Sequence, residues 1–155
     1  MSEEVALRDA IKEASLSKND IAVFDRGMCA RKTFKDFTQS GIRFVTRLND
    51  KANYRAIEEK SLNTGKSKEC LNSGLEILAD DIVQLRSKIV HWLEEKFRLI
   101  KAMEKTTGKS FLFLTNIKEL PAFEITEIYK ARWDIKVFFK FIKQHLNTKH
   151  LKKIF

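Results

Sequence analysis

The fold class follows from residues 21–48, IAVFDRGMCARKTFKDFTQSGIRFVTRL. Two short apolar runs, 21–25 and 42–48, are rich in β-branched and aromatic residues and bounded by turn residues. Such runs predict buried strands, typically of a parallel sheet. Residues 30–39 between them predict a helix, which is terminated by Ser40-Gly41. Strand, helix and strand within about 30 residues form a right-handed βαβ unit, so the chain is predicted to have an α/β fold.

The middle of the chain, residues 53–107, is predicted to be a β-rich insertion. Its segment 75–85 has the composition of a strand, with a turn signal at Asp80-Asp81. Segment 97–103 fits a strand and, almost as well, a helix. Residues 110–115, SFLFLT, predict a strand that is buried on both faces. The pairing of these strands stays open, because composition does not identify a strand's neighbours.

Two amphipathic helices are predicted outside this region. Residues 3–16 carry apolar side chains at helical spacing, with acids in the first turn. Residues 123–146 predict a long C-terminal helix, and Pro121 lies just ahead of its first turn, where the missing N–H does no harm. The broad apolar face of this helix comprises Phe123, Ile125, Ile128, Ile135, Phe138, Phe139 and Ile142.

Composition excludes several classes of protein. The 155 residues suit about one domain, and the 43% apolar and 33% charged content is that of a globular chain. No apolar run approaches the ~20 residues of a membrane-spanning helix, so no membrane partner is expected. Cys29 and Cys70 have no CxxC or CxxH spacing, which argues against a disulfide scaffold and against a zinc site. A reducing, cytoplasmic location is therefore expected.

Positive charge is concentrated near the C-terminal end of the sequence. Residues 128–155 hold eight Lys or Arg and one acid, and therefore +7 of the net charge of +9. One face of the predicted helix carries Tyr129, Arg132, Lys136, Lys140 and Lys143. Cations aligned on one face repel one another, which favours a nucleic acid or another phosphate ligand. The alternative is a solvated helix face that binds nothing.

Asp25 is a candidate metal ligand because it ends an apolar strand. Ligands of α/β sheets bind beyond the carboxyl ends of the strands, and a carboxylate there can hold a hard divalent cation. The alternative is that Asp25 caps a turn or pairs with Arg26.

Four residues, Tyr129, Arg132, Lys136 and Lys143, have the spacing of a Tyr–Arg–Glu–Lys signature. With its context, IYKARWDIKVFFKFIKQHL, this segment resembles the signature helix of DDE transposases from bacterial insertion sequences of the IS-four type. The blocks IAVFDRG and GIRFVTRL resemble the strand of that family's second Asp and the strand after it, and FLFLTNI also fits. The resemblance covers residues 21–151.

The resemblance implies a ribonuclease-H-like core in which three carboxylates hold two magnesium ions for phosphodiester cleavage and strand transfer. Asp25 would be the second carboxylate and a metal ligand. Tyr129, Arg132 and Lys143, with Lys140 on the same helical face, would bind the phosphates of the transposon ends. Residues 1–155 would form an incomplete catalytic domain that contains the β-rich insertion and the long C-terminal helix.

The sequence departs from the family's pattern at the catalytic Glu, which is replaced by Lys136. A cation there repels Mg²⁺, and the neighbouring acids Asp134 and Glu127 lie about 200° and about 180° away around the helix. No strand ending in the first catalytic Asp is predicted ahead of Asp25. The chain is therefore predicted to be a transposase fragment that is inactive alone, and magnesium is expected of the parent family rather than of this chain.

Three alternatives to a plain fragment stay open. The chain could be a non-catalytic DNA-binding module or regulator derived from a transposase, which would interfere with an intact transposase. It could be one subunit of a split enzyme, although Lys136 argues against that. It could also be the product of a decayed gene, without a function.

Overall fold

The computed structural model describes residues 9, 19–24, 31–49, 51–59, 74–86 and 92–132. Its strands are β1 (Ile21–Phe24), β2 (Arg43–Leu48), β3 (Tyr54–Glu59), β4 (Leu75–Leu85), β5 (Phe97–Glu104) and β6 (Ser110–Thr115). Its helices are α1 (Arg31–Gln39) and α2 (residues 122–132). The predicted helix 3–16 lies outside the described residues, apart from Asp9, which is helical. No described helix is long and apolar enough to cross a membrane.

The six described strands form one sheet in the order β1-β2-β6-β5-β4-β3. β1 and β2 are parallel, with Val23 opposite Val45, and every other neighbouring pair is antiparallel. A parallel pair joined through α1 confirms the predicted strand–helix–strand unit and the α/β class. β3, β4 and β5, which fall within residues 53–107, extend the same sheet, and β6 joins them to β2.

Helix α1 ends at Gln39 and is followed by Ser40 and Gly41, as predicted. Gly41 has a φ of 73°, a conformation that glycine adopts without a steric penalty. Its N–H donates to the Thr38 carbonyl at 3.2 Å, and the Ile42 N–H donates to the Phe37 carbonyl at 2.8 Å. These two bonds form a Schellman motif, which satisfies the last carbonyls of the helix and turns the chain into β2.

Apolar side chains cover both faces of the sheet except at β3, whose residues are all exposed. The cluster on the α1 side contains Phe24, Phe34, Phe37, Phe44, Leu48, Val83, Leu85, Phe97, Leu99, Leu112 and Leu114. The cluster on the α2 side contains Val45, Leu75, Ile77, Ile100, Ala102, Phe113, Ile117, Ile125 and Tyr129. Each fully buried side chain of this size contributes about 1.5–3 kcal/mol to folding. The sheet is therefore a central layer between two helices, and β6 is buried on both faces as predicted.

The predicted turn at Asp80-Asp81 is wrong, because β4 runs unbroken through both residues. The register of β4 against β5 shifts between Ile77 and Ala79. Before this bulge odd-numbered residues such as Ile77 face α2, and after it odd-numbered residues such as Val83 face α1. A bulge adds one residue and so reverses the alternation of side chains. Asp80 is accommodated in the strand because it pairs with buried Arg98.

The ambiguity of segment 97–103 is resolved in favour of a strand. β5 pairs with β4 on one side and with β6 on the other. Its side chains enter both apolar clusters, with Leu99 on the α1 side and Ile100 on the α2 side. A strand with two neighbours satisfies all its backbone groups and buries both its faces, so tertiary pairing decides the conformation here.

Helix α2 begins directly after Pro121, as predicted. The Pro121 carbonyl accepts hydrogen bonds from the Glu124 N–H at 3.1 Å and the Ile125 N–H at 3.3 Å. Proline lacks only a donor that the first helical turn does not use. The continuation of this predicted helix to Leu146 lies outside the described residues.

Candidate nucleic-acid interface

The sequence singles out six site residues, and the described part of the chain contains two of them. Tyr129 and Arg132 lie on α2, one turn apart. The other four, Asp25, Lys136, Lys140 and Lys143, lie outside the described residues. Residues three apart on a helix share a face, so Tyr129 and Arg132 point to the same side of α2.

Tyr129 is largely a core residue. It is 7% exposed, and its ring centroid lies 5.3 Å from that of Phe113 on β6. It belongs to the apolar cluster that holds α2 against the sheet. The ring therefore anchors the helix, and the hydroxyl is the polar part of Tyr129.

Arg98 fixes the segment that leads into α2. This side chain is 3% exposed and donates two hydrogen bonds to Asp80, from Nε to Oδ1 at 2.8 Å and from Nη2 to Oδ2 at 2.7 Å. Its Nη1 also donates to the Ile117 carbonyl at 3.3 Å and to the Leu120 carbonyl. A buried guanidinium needs this many acceptors to offset its lost hydration. Arg98 consequently joins the middle of the sheet to the start of α2.

A second contact ties the same segment to β2. Glu119 pairs with Arg43 and accepts a hydrogen bond from the Lys118 N–H at 3.1 Å. A hydrogen bond from its own N–H lowers the pKa of the Glu119 carboxyl, and the charge of Arg43 lowers it further. Glu119 is exposed, so this pair contributes little to stability.

A cleft of about 350 Å³ lies beside α2, on the face of the sheet that the helix covers. Its walls come from β2, β4, the end of β5, the β5–β6 turn, β6 and α2. The lining residues are Arg47, Leu75, Glu104, Lys109, Phe111, Phe113, Thr126, Tyr129 and Lys130. Tyr129 is therefore shared between the apolar core and the wall of the cleft.

The cleft has a cationic and aromatic lining. The guanidinium carbon of Arg47 lies 4.5 Å from the ring centroid of Phe111, and the Lys109 Nζ lies 5.5 Å from it. Glu104 is the only acid among the described residues that line the cleft, and it accepts a hydrogen bond from the Thr107 hydroxyl at 2.8 Å. The lining thus carries an excess of positive charge.

Sequence reasoning missed Arg47, Lys109 and Phe111. They lie on different elements, so no local spacing relates them. The available signal is the alternation of β2, which places Arg47 on the same face as Val45, the face that α2 covers. Only the antiparallel pairing of β2 with β6 brings Arg47 next to Phe111.

Comparison with known proteins matches the chain to one family model. The model is described as the transposase DDE domain, and it matches residues 2–154. The chain belongs to the DDE transposase family. This confirms the resemblance that the sequence motifs indicated.

The proteins similar to the chain include transposases from three different bacteria. A putative transposase, y4zB, from Sinorhizobium fredii is 27% identical over 82% of this chain. A probable transposase for insertion sequence element IS5377 from Geobacillus stearothermophilus is 26% identical over 89% of the chain. A putative transposase for insertion sequence element IS4SA from Synechocystis sp. is 24% identical over 86% of it. The aligned part of the chain spans 34% of the length of each relative.

The sequence departs from the metal-binding carboxylates that the resemblance implies for a DDE transposase. The resemblance assigns Asp25 and position 136 to the metal site, and position 136 carries an ammonium group instead of a carboxylate. Hard divalent cations take oxygen ligands, and a lysine offers none. Among the described residues, no group of three His, Cys, Asp or Glu could hold a metal ion.

Proposed function

We propose that the chain is a DNA-binding part of an insertion-sequence transposase that does not cleave DNA by itself. One observation carries this proposal: the chain belongs to the DDE transposase family, yet Lys136 stands where the resemblance requires the catalytic Glu. The family supplies the substrate class, which is DNA, and the substitution removes a metal-binding anion. The cytoplasmic location expected from the sequence stays a prediction.

The DNA contacts are proposed to lie on the face of α2 and its continuation. Tyr129 and Arg132 share one side of α2, and Lys140 and Lys143 follow on the same side if the helix continues as the sequence predicts. The concentration of positive charge in residues 128–155 supports this assignment, because phosphate contacts dominate the affinity of proteins for DNA. The transposon ends are the expected DNA partner.

The sheet is proposed to be part of a ribonuclease-H-like catalytic domain. The parallel pair β1 and β2 with α1 would belong to its core, and residues 53–107 would be its β-rich insertion. The order of the strands supports this arrangement, since the insertion strands lie beyond β6 and leave β1 at the opposite edge of the described sheet.

The loss of cleavage is proposed to follow from charge at the metal site. A lysine ammonium beside Asp25 would repel Mg²⁺ and neutralise the remaining carboxylate. Two-metal catalysis of phosphodiester cleavage needs several carboxylates to hold both ions. The expected result is a protein that binds DNA tightly at low salt and leaves its phosphodiester bonds intact.

The test combines a cleavage assay with a binding assay on the 155-residue chain. Supercoiled plasmid incubated with Mg²⁺ or Mn²⁺ is expected to stay supercoiled, and metal-dependent nicking would overturn the inactivity. Fluorescence anisotropy with labelled duplex DNA is expected to show affinity that falls steeply with salt, and that falls further for the double variant Lys140→Glu plus Lys143→Glu.

A matched control distinguishes the effect of where the lysines lie from the effect of the change in net charge. The double variant Lys51→Glu plus Lys101→Glu changes the net charge equally, but at exposed residues of the β2–β3 turn and of β5 rather than on the helix. It is expected to weaken binding less than the helix variant. Equal losses in the two double variants would contradict an interface on the helix. Addition of the chain to an intact transposase then tests competition for the same DNA ends.

A further inference from the structure

We propose that the cleft beside α2 binds a phosphate group of a DNA strand, with Arg47 and Lys109 as the residues that contact it. This deepens the proposed function and rests on it. The two side chains come from different elements, β2 and the β5–β6 turn, and converge on Phe111. They lie outside the helical stripe that the sequence singles out.

The Nε–H of Arg47 is buried and lacks a hydrogen-bond acceptor among the described residues. Guanidinium is charged at every pH that proteins tolerate, and it carries five N–H donors in a planar fork. The Phe111 ring attracts the charge but does not accept those hydrogen bonds in the plane of the fork. A phosphate oxygen matches both the charge and the geometry of the fork.

Lys109 places a second cation at the same ring. Its Nζ and the Arg47 guanidinium both lie within 5.5 Å of the Phe111 centroid. Like charges in one cleft repel each other, and an anion between them removes the repulsion. The turn that presents Lys109 is well defined, since the Glu104 N–H donates to the Lys109 carbonyl and the Gly108 N–H donates to the Glu104 carbonyl, both at 2.8 Å.

No anion in the described lining of the cleft is paired with these cations. The acid of this lining is Glu104, and none of the ion pairs among the described residues involves Glu104, Arg47 or Lys109. Arg98 makes the contrast clear, because this buried arginine is matched by Asp80 and two carbonyls. Arg47 lines the cleft and donates no hydrogen bond from its buried Nε–H to a described residue, so its acceptor is proposed to be a phosphate of the DNA.

The size and place of the cleft fit a nucleic-acid strand. A volume of about 350 Å³ falls within the range of ligand sites. Tyr129 lines the cleft and also lies on the helix face proposed to contact DNA. A strand that follows α2 therefore passes the mouth of the cleft, where one of its phosphates can reach Arg47.

The experiment measures the salt dependence of DNA binding for Arg47→Gln and Lys109→Gln. Each lost phosphate contact is expected to lower the slope of log K against log salt by about one. Lys109 is exposed, so Lys109→Gln is expected to stay folded. It therefore tests the site even if Arg47→Gln unfolds. The matched control is Arg55→Gln. Arg55 lies on the exposed strand β3, where its guanidinium carbon is 4.6 Å from the centroid of the Trp92 ring and its Nε donates to Gln84 on β4. This control is expected to leave the slope unchanged.

A second readout uses pyrophosphate alone. The Nε–H resonance of Arg47, identified by its loss in Arg47→Gln, is expected to shift when pyrophosphate is added to the chain. DNA binding with an unchanged slope in both cleft variants would overturn this site and leave the proposed function standing. A pyrophosphate shift without any DNA binding would overturn DNA as the source of the phosphate, and the proposed function with it. Absence of both signals would overturn the two proposals together.

Discussion

Arg98 and Asp80 form a buried, bidentate ion pair between neighbouring strands, with N–O distances of 2.8 and 2.7 Å. The pair lies on the α2 side of the sheet, and Arg98 reaches on to the Ile117 and Leu120 carbonyls ahead of the helix. Arg98, which lies on β5, therefore links this strand to β4 and to the segment that precedes α2. A substitution in this ion pair therefore tests what holds α2 against the sheet.

Removal of one member of this pair is expected to be costly. Asp80→Asn should lower the free energy of unfolding by about 3–5 kcal/mol, because it leaves a buried guanidinium without its counter-charge. Urea denaturation measures the change, with Arg55→Gln at an exposed hydrogen bond as the control, expected within about 0.5 kcal/mol of the parent. A loss below about 1 kcal/mol for Asp80→Asn would show that the pair does not hold the sheet.

Substitutions of Tyr129 separate its ring from its hydroxyl. Tyr129→Ala should cost about 3–5 kcal/mol of unfolding free energy, because it removes a buried ring that packs on Phe113. Tyr129→Phe keeps the ring and should cost no more than about 1.5 kcal/mol. Weaker DNA binding by the folded Phe variant would assign a DNA contact to the hydroxyl.

Tyr54 is the matched control for Tyr129, since it is a tyrosine that is 38% exposed on β3. Tyr54→Ala should change the stability by about 0.5 kcal/mol or less. If Tyr54→Ala lowered the free energy of unfolding as much as Tyr129→Ala, the loss of any tyrosine ring, rather than the loss of the contact that anchors α2, would explain the effect at Tyr129.

The end of α1 depends on the left-handed conformation of Gly41. An added Cβ would meet nothing within 4 Å, so the cost of Gly41→Ala comes from backbone strain alone. It should be about 1–2 kcal/mol. Gly41→Asn should cost less, because asparagine tolerates this conformation better. Thermal unfolding checks the order, with the neighbouring substitution Ser40→Ala as a near-neutral control.

The stability of the chain is expected to depend on Asp81. Burial raises the pKa of Asp81 above 3.8, and the charges of Glu59 and Asp80 raise it further. Glu59 lies directly opposite Asp81 across β3 and β4. The folded state then binds a proton more tightly than the unfolded state, so the free energy of unfolding falls as pH rises through the raised pKa.

Asp81→Asn is therefore expected to raise the melting temperature near neutral pH. Like charges on opposed strand residues cost on the order of 0.2–1 kcal/mol. The gain should vanish in acid below the ordinary pKa of the carboxyl, where both states are protonated. Glu58→Gln, opposite Ile82 on the same pair of strands, is the control and should gain less. A gain for Asp81→Asn that persists in acid would rule out charge as its cause.

Local patterns in the sequence were sufficient for several elements. The apolar runs of β1 and β2, the glycine that ends α1 and the proline ahead of α2 each specify structure within a few residues. The sequence left segment 97–103 ambiguous, and the turn predicted at Asp80-Asp81 is wrong, because both depend on neighbours that are distant in sequence. In the sequence, Asp80 has the character of a turn residue. Only the folded structure brings Arg98, 18 residues further along, beside it.

For the candidate site, too, some features follow from the sequence and others only from the tertiary structure. The sequence by itself determined the family, through Tyr129, Arg132 and their context, and it placed a lysine at position 136, because these are properties of residue identity and of spacing along one helix. The tertiary structure alone decided that the ring of Tyr129 is core and that Arg47, Lys109 and Phe111 meet in one cleft. Their convergence is set by the pairing of β2 with β6 and by the β5–β6 turn, and strand pairing is a long-range choice that no local sequence pattern encodes.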